Sequence, residues 1–229
     1  LPVNYTTPVL KKSKFKRTDL NLPDGTFLIG LPHTSFKYHP DFDFILDKIL
    51  EEIPNAYFYC AEGILKSMTK CLKERWSAKS KLILKRTIFH SRVGFNDFLN
   101  ILKSVDIVIG SFHFGMGNTF YQAMSVGTPV VSYTKDKFNT RHTYAGYRQM
   151  GIVNPPVAHS PEEYISIIKK LAYNKSYIED IKNQIISKSN DFLFNDIDIH
   201  KEYIEFIQAS VEAAKNNSCL PNNWRPNKS

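Results

Sequence analysis

The chain has 229 residues, 42% hydrophobic and 23% charged. That is enough apolar material for one ordinary domain with a sizeable core, and too much for a disordered tail. Its 30 basic and 22 acidic residues give a net charge of +8, which favours anionic partners and says little about fold. There is no 18-residue uncharged apolar run and no charged-then-apolar N-terminus, so neither a membrane span nor a secretory signal is read. The three cysteines, Cys60, Cys71 and Cys219, are odd in number and lack CxxC spacing, so neither a disulfide framework nor a thiolate metal site is signalled. A cytoplasmic, membrane-free setting is expected. The chain opens on Leu1 without an initiator Met, and a piece of something longer is expected.

Residues 1–20 are read as a basic linker. Lys11, Lys12, Lys14, Lys16 and Arg17 crowd together there, but with a single aromatic residue, Phe15, among them. A solvated segment fits this better than a nucleic-acid patch, which needs a stacking series.

From residue 21 to 195 short β-branched and aromatic runs alternate with amphipathic helical stretches, the pattern of a Rossmann-like, doubly wound parallel sheet. The predicted strands are Thr26–Gly30, Ala56–Cys60, Thr87–His90, Asp106–Gly110 and Val130–Tyr133. The first predicted helix runs from about Asp41 to Ile53, with Phe42, Ile45, Leu46, Ile49 and Leu50 at helical spacing. Others follow over Ile64–Trp76, Asn96–Ser104, Thr119–Val126 and Asn139–Met150, the last ending at Gly151 as a left-handed C-cap. Beyond Pro155 and Pro156 only helices are predicted, over Pro161–Tyr173, Ser176–Ser189 and Ile199–Ala214. Residues 196–229 are read as a C-terminal helix and a loosely ordered tail.

In such a fold ligands bind at the C-terminal ends of the strands, so the loops after strands carry the candidate chemistry. The segment from Phe112 to Thr119 leaves the fourth strand and opens a helix; Gly115 and Gly117 let a ligand approach the backbone, and the free amides of the helix start favour a phosphate. The alternative is a plain turn at Gly117 with Asn118 as a helix cap. Lys37, in the loop after the first strand, can reach the same crevice and offset diphosphate charge, or stand as a surface lysine. His33 and His39 have no carboxylate or cysteine at ligand spacing, so no metal is assigned. Phe98, one turn into its helix, offers a face to a nucleobase or packs in the core. Asp41, Asp43, Glu51 and Glu52 read as helix-start and solvent-face acids rather than a hydrolytic pair. No GxSxG elbow occurs.

Over about Asn21 to Ile152 these fragments, in this order, resemble a known family. They are Leu22-Pro23-Asp24, Phe36-Lys37-Tyr38-His39-Pro40, Ile53-Pro54-Asn55, Arg86-Thr87-Ile88-Phe89, Gly117-Asn118-Thr119, Gly127-Thr128-Pro129 and Met150-Gly151-Ile152. The chain resembles the C-terminal, nucleotide-sugar-binding half of the O-GlcNAc transferase and SPINDLY-like glycosyltransferases, including the bacterial branch that glucosylates adhesin asparagines. The resemblance implies one of the two domains of a GT-B enzyme, with a UDP-sugar as co-substrate, no other cofactor, a protein acceptor, and an N-terminal GT-B domain absent from this chain. It implies Lys37 as the group that supports departure of UDP, and Gly117, Asn118 and Thr119 as a phosphate cradle. Phe98 stands where the animal enzyme stacks a histidine on uracil, with Val93 and Gln122 also at donor-binding positions. Two residues depart from the animal pattern: Phe95 replaces a lysine, and Gln122 replaces an aspartate that binds ribose. Gln122 keeps hydrogen-bonding capacity without charge.

Overall fold

The computed structural model describes residues 5–13, 15–194 and 198–226. One sheet holds six parallel strands, β1 (Phe27–Leu31), β2 (Ala56–Ala61), β3 (Thr87–His90), β4 (Ile107–Ile109), β5 (Val130–Tyr133) and β6 (Val157–Ala158), in the order β3-β2-β1-β4-β5-β6. Between and after them come α1 (Pro40–Glu52), α2 (Lys66–Lys79), α3 (Lys81–Lys85), α4 (Phe95–Ser104), α5 (Asn118–Ser125), α6 (His142–Gln149), α7 (Pro161–Tyr173), α8 (Lys175–Phe192) and α9 (Asp198–Lys215). This is the predicted Rossmann-like α/β architecture. The chain steps outward from β1 to β3, then returns to the other side of β1, so the strand order reverses between β1 and β4.

Helices cover both faces of the sheet, which is why its strands read as apolar runs rather than as alternating ones. The period of two shows instead in which core each residue joins. Phe27, Ile29 and Leu31 of β1, Ile107 and Ile109 of β4, and Val131 and Tyr133 of β5 pack with α1, α3 and α7. Leu28, Val108 and Val130 pack on the other side with α4, α5, α6 and α8. Each such buried aliphatic side chain is worth about 1.5–3 kcal/mol.

Two elements were not expected from the sequence. β6 follows a Pro-Pro pair that reads as a helix-only boundary, yet the prolines need only accept. Ser132 N donates to Pro156 O at 3.2 Å, and Thr134 N to Ala158 O at 2.9 Å. A sheet edge tolerates proline because the missing N–H faces away from the ladder. The short α3 starts at Ser80, whose Oγ accepts from the amides of Leu82 and Ile83; one turn is too brief to leave a periodic pattern. Gly151 is left-handed, φ +60°, and closes α6 as predicted.

The described part of the N-terminal segment lies along the domain. Tyr5 stacks on Tyr121 with ring centroids 4.9 Å apart and bridges Phe194. Arg17 bonds Asp106 at 2.9 Å and the Thr26 carbonyl at 2.6 Å. The expected boundary at 195/196 and the tail end 227–229 lie outside the described residues, as do residues 1–4 and Lys14 of the basic run. Among the described residues no helix is long and apolar enough to cross a membrane.

Asp43 corrects the reading of the α1 acids. It is not on the solvent face: its side chain is 2% exposed and accepts from Arg75 Nε and Nη2, both at 2.9 Å, and from Trp76 Nε1 at 2.8 Å. Arg75 Nη2 also donates to the Tyr38 carbonyl at 2.7 Å, so one buried carboxylate ties α1 and α2 to the loop after β1. Helical spacing put Asp43 beside Phe42 but could not reveal a guanidinium 32 residues away. Asp43→Ala leaves Arg75 without its carboxylate and the buried indole N–H without an acceptor, and urea unfolding is expected to show a loss of about 3–5 kcal/mol. A loss below about 1 kcal/mol would mean the network is dispensable.

Candidate functional site

The loops after β1 and β4 leave the sheet side by side where strand order reverses. In the first, a 3-10 turn over Ser35–Lys37 lifts Lys37 toward the second. Lys37 Nζ lies 3.8 Å from the centroid of the Phe114 ring, a cation–π contact that holds the ammonium at the mouth of the sheet. Burial lowers the Lys37 pKa from its ordinary value.

The second loop is held by backbone. Gly115 N donates to Asn139 O at 2.9 Å, and a Cβ at Gly115 would lie 3.1 Å from that oxygen and 3.3 Å from Thr140 O, so a side chain there would push the two backbone segments apart. Gly117 is the N-cap of α5, with no side chain capping the helix, and a Cβ there would meet nothing within 4 Å. The helix therefore opens at Asn118, which is exposed and is not the cap that the alternative reading made it. The amides of Asn118 and Thr119 lie at a helix start that no side chain caps, where an anion is favoured.

Beside this mouth is a cleft of about 280 Å³. Val93 lines it from the loop after β3, Phe98 from α4 and Thr119 from α5, so three of the predicted residues share one cavity. Phe98 also packs against the core, as the second of its two readings has it. Arg92, Glu62 and His90 add polar walls, and His90 stacks on Tyr59 with centroids 4.5 Å apart. Lys37, Gly117 and Asn118 stand next to the cleft rather than in its lining; Gln122, half-buried on the next turn of α5, does not line it either. A larger cavity, about 530 Å³, is built by α6, α9 and the tail around Trp224 and contains none of the predicted residues. Size alone would select it, and it takes in Arg141 and His142 at the start of α6, but it has no lysine and lies apart from the loops after β1 and β4, so the strand-order reversal favours the smaller one.

The same cleft contains a residue that the sequence reading weighed only as a metal ligand. His33 is 4% exposed; its amide donates to Tyr38 Oη at 3.0 Å, and its ring stands edge-on to Tyr38 and Phe114. Its Nε2 is enclosed without a hydrogen-bond partner. Burial, with a further contribution from the Lys37 charge, pushes its pKa down to about 3, so the imidazole is neutral. The signal available in the sequence was position, two residues beyond the end of β1.

At the rim, the statement that no carboxylate joins His39 is also corrected. Asp41 Oδ1 is 2.8 Å from His39 Nδ1, and its Oδ2 is 2.6 Å from Nε2 of His113, which comes from the loop after β4. Partial burial pushes the Asp41 carboxyl up, but the hydrogen bonds from His113 and His39 outweigh this and hold its pKa below the ordinary value. His33 lies apart from this group.

No protein-family profile and no curated protein sequence matches the chain. Solved structures do, at the level of fold. A Thermobaculum terrenum O-GlcNAc transferase variant superposes with TM-score 0.66 at 19% identity, over 74% of this chain and 34% of that one. Anabaena HepE, in complex with UDP and glucose, gives 0.61 at 15% identity, over 84% and 51%. The C-terminal domain of the Francisella tularensis group 1 glycosyl transferase LpcC gives 0.59 at 17%, over 81% of this chain and 96% of that domain. The chain thus spans a third to a half of the first two, and it shares its fold with these glycosyltransferase domains.

Proposed function

We propose that this chain is the donor-binding domain of an inverting, metal-independent glycosyltransferase that moves a sugar from a UDP-sugar to a protein side chain, Ser/Thr or Asn. The observation that carries the reading is the meeting of Lys37 with the loop that opens α5, which sets one ammonium and two free helix amides around a single mouth. The glycosyltransferase folds it superposes on, one of them solved with UDP and glucose, support it.

In this reading the pyrophosphate displaces Lys37 from the Phe114 face and lies between its ammonium and the Gly117–Thr119 helix start. The nucleoside enters the cleft against Phe98 and Val93, with Gln122 toward the ribose and neutral His33 giving its free Nε2 to an uncharged polar atom. The acceptor oxygen or nitrogen attacks the anomeric carbon from the face opposite UDP; that bond forms as the carbon–oxygen bond to the diphosphate breaks. The electron pair leaves on UDP, and the acceptor proton passes to a base on the N-terminal GT-B domain. Lys37 and the helix amides act on charge that grows during this step, so they lower the barrier rather than only tightening binding. A second reading, a nucleotide-binding or assembly module without catalysis, is favoured by the chain's span of only a third to a half of the O-GlcNAc transferase variant and HepE.

Calorimetry with UDP, followed by donor hydrolysis with UDP-sugars, separates the two. Lys37→Ala is expected to weaken UDP binding about 10- to 100-fold, the worth of a charge-assisted hydrogen bond. In the parent enzyme it is expected to abolish transfer with the fold intact. Unchanged UDP affinity in that variant overturns the assignment of Lys37.

His33 gives an independent check on the folded state. Its folded pKa, about 3, lies below the unfolded value, so the unfolded chain binds the extra proton and stability falls as pH drops from about 6.5 toward 3, at roughly 1.4 kcal/mol per unit from this group. In His33→Phe, which keeps a ring, unfolding curves are expected to lose that part of the slope. An identical slope in the variant would show that the imidazole is not held neutral.

A further inference from the structure

At the rim of the mouth, His39, Asp41 and His113 place one ligand atom each within 4.8 Å of the other two. None of them lines the cleft. His39 caps α1, Asp41 stands in its first turn, and His113 arrives from 72 residues beyond Asp41. Asp41 divides its two oxygens between the two imidazoles, at 2.8 and 2.6 Å. The Asp41 amide also approaches His39 Nδ1 at 3.4 Å, in the donor's position. That ring nitrogen has a single in-plane lone pair, so it can accept from the amide, carry a proton toward Oδ1 or hold a cation, one at a time, and the shorter contact is the one to Oδ1.

Both loops are fixed before any ion arrives. Pro40 follows His39 and restricts its backbone, and Asn139 Nδ2 donates to the His113 carbonyl at 3.0 Å. All three side chains are about half exposed, so an ion has open access.

We propose that His39, Asp41 and His113 form a binding site for a divalent transition ion of the zinc type, with three protein ligands and a fourth position left to water. Two imidazoles and one carboxylate suit Zn²⁺, whereas Mg²⁺ and Ca²⁺ demand sets dominated by oxygen. The ion replaces the protons shared among the three groups. Its effect is positional: it clasps the loop that carries Lys37, two residues before His39, to the loop that carries Phe114, the neighbour of His113. It takes no part in the proposed transfer step, and the site stands whether or not the chain binds a nucleotide-sugar.

The test uses the full untagged chain, freed of metal by a chelator, with the exposed thiols Cys71 and Cys219 alkylated because they bind zinc themselves. Zn²⁺ alone is titrated calorimetrically, and Co²⁺ is followed by visible absorption. One site per chain is expected. His113→Ala and Asp41→Asn should each weaken it about tenfold or more and remove the cobalt bands, while His200→Ala, an exposed histidine on α9, leaves both unchanged. Mg²⁺ should not compete. Circular dichroism checks that the variants fold, and His39→Ala serves as the second ligand variant should either fail. Absence of zinc binding, or binding that survives the loss of His113 or His39 in a folded chain, overturns the proposal.

Discussion

The reversal of strand order between β1 and β4 is the constraint on which the site depends. The two strands are neighbours in the sheet, with Ile29 beside Ile107 and Gly30 beside Val108, although almost eighty residues separate them in the chain. Their loops go to opposite faces and leave a gap above the strand ends. Lys37 crosses that gap to Phe114, and Asp41 crosses it to His113. Gly30 makes the close fit possible: a Cβ there would lie 3.2 Å from methyl groups of both Val105 and Val108.

Positioning one lysine also requires a firm base, which the buried carboxylate of Asp43 supplies through Arg75. The guanidinium that completes this pair also holds the Tyr38 carbonyl, one residue after Lys37. Tyr38 in turn is fully buried against Phe42 and Trp76, and its hydroxyl accepts from the His33 amide. Core packing and the placement of the ammonium are therefore one problem. A buried ion pair is an expensive way to solve it compared with an apolar contact, but it fixes direction in a way that dispersion does not.

The sheet was legible because a strand covered on both faces leaves an unbroken apolar run, as Ile107-Val108-Ile109 does, and because Pro161 and Gly151 mark helix ends by their backbone limits. The last strand was hidden because its two residues follow Pro155 and Pro156 and are defined by hydrogen bonds to β5, not by their own pattern. In the site, local spacing disclosed what a loop offers: Lys37 before a helix, and Gly117 at a helix start. It could not disclose pairings between loops. Asp43 looked like a solvent acid until Arg75 was placed, His39 looked alone until His113 arrived, and the isolation of His33 Nε2 depends on several chain segments at once.

Gly115 carries one more consequence. Because its amide rests on Asn139 O, where a methyl group would fit only if that backbone gave way, while Asn139 reaches back to the His113 carbonyl, the segment after β5 and the loop after β4 are tied together at two points. Any force that shifts residues 138–140, such as a neighbouring domain leaning on the exposed Phe138, is transmitted to Phe114 without passing through the sheet. Phe138 is in that sense a handle on the loop against which Lys37 rests.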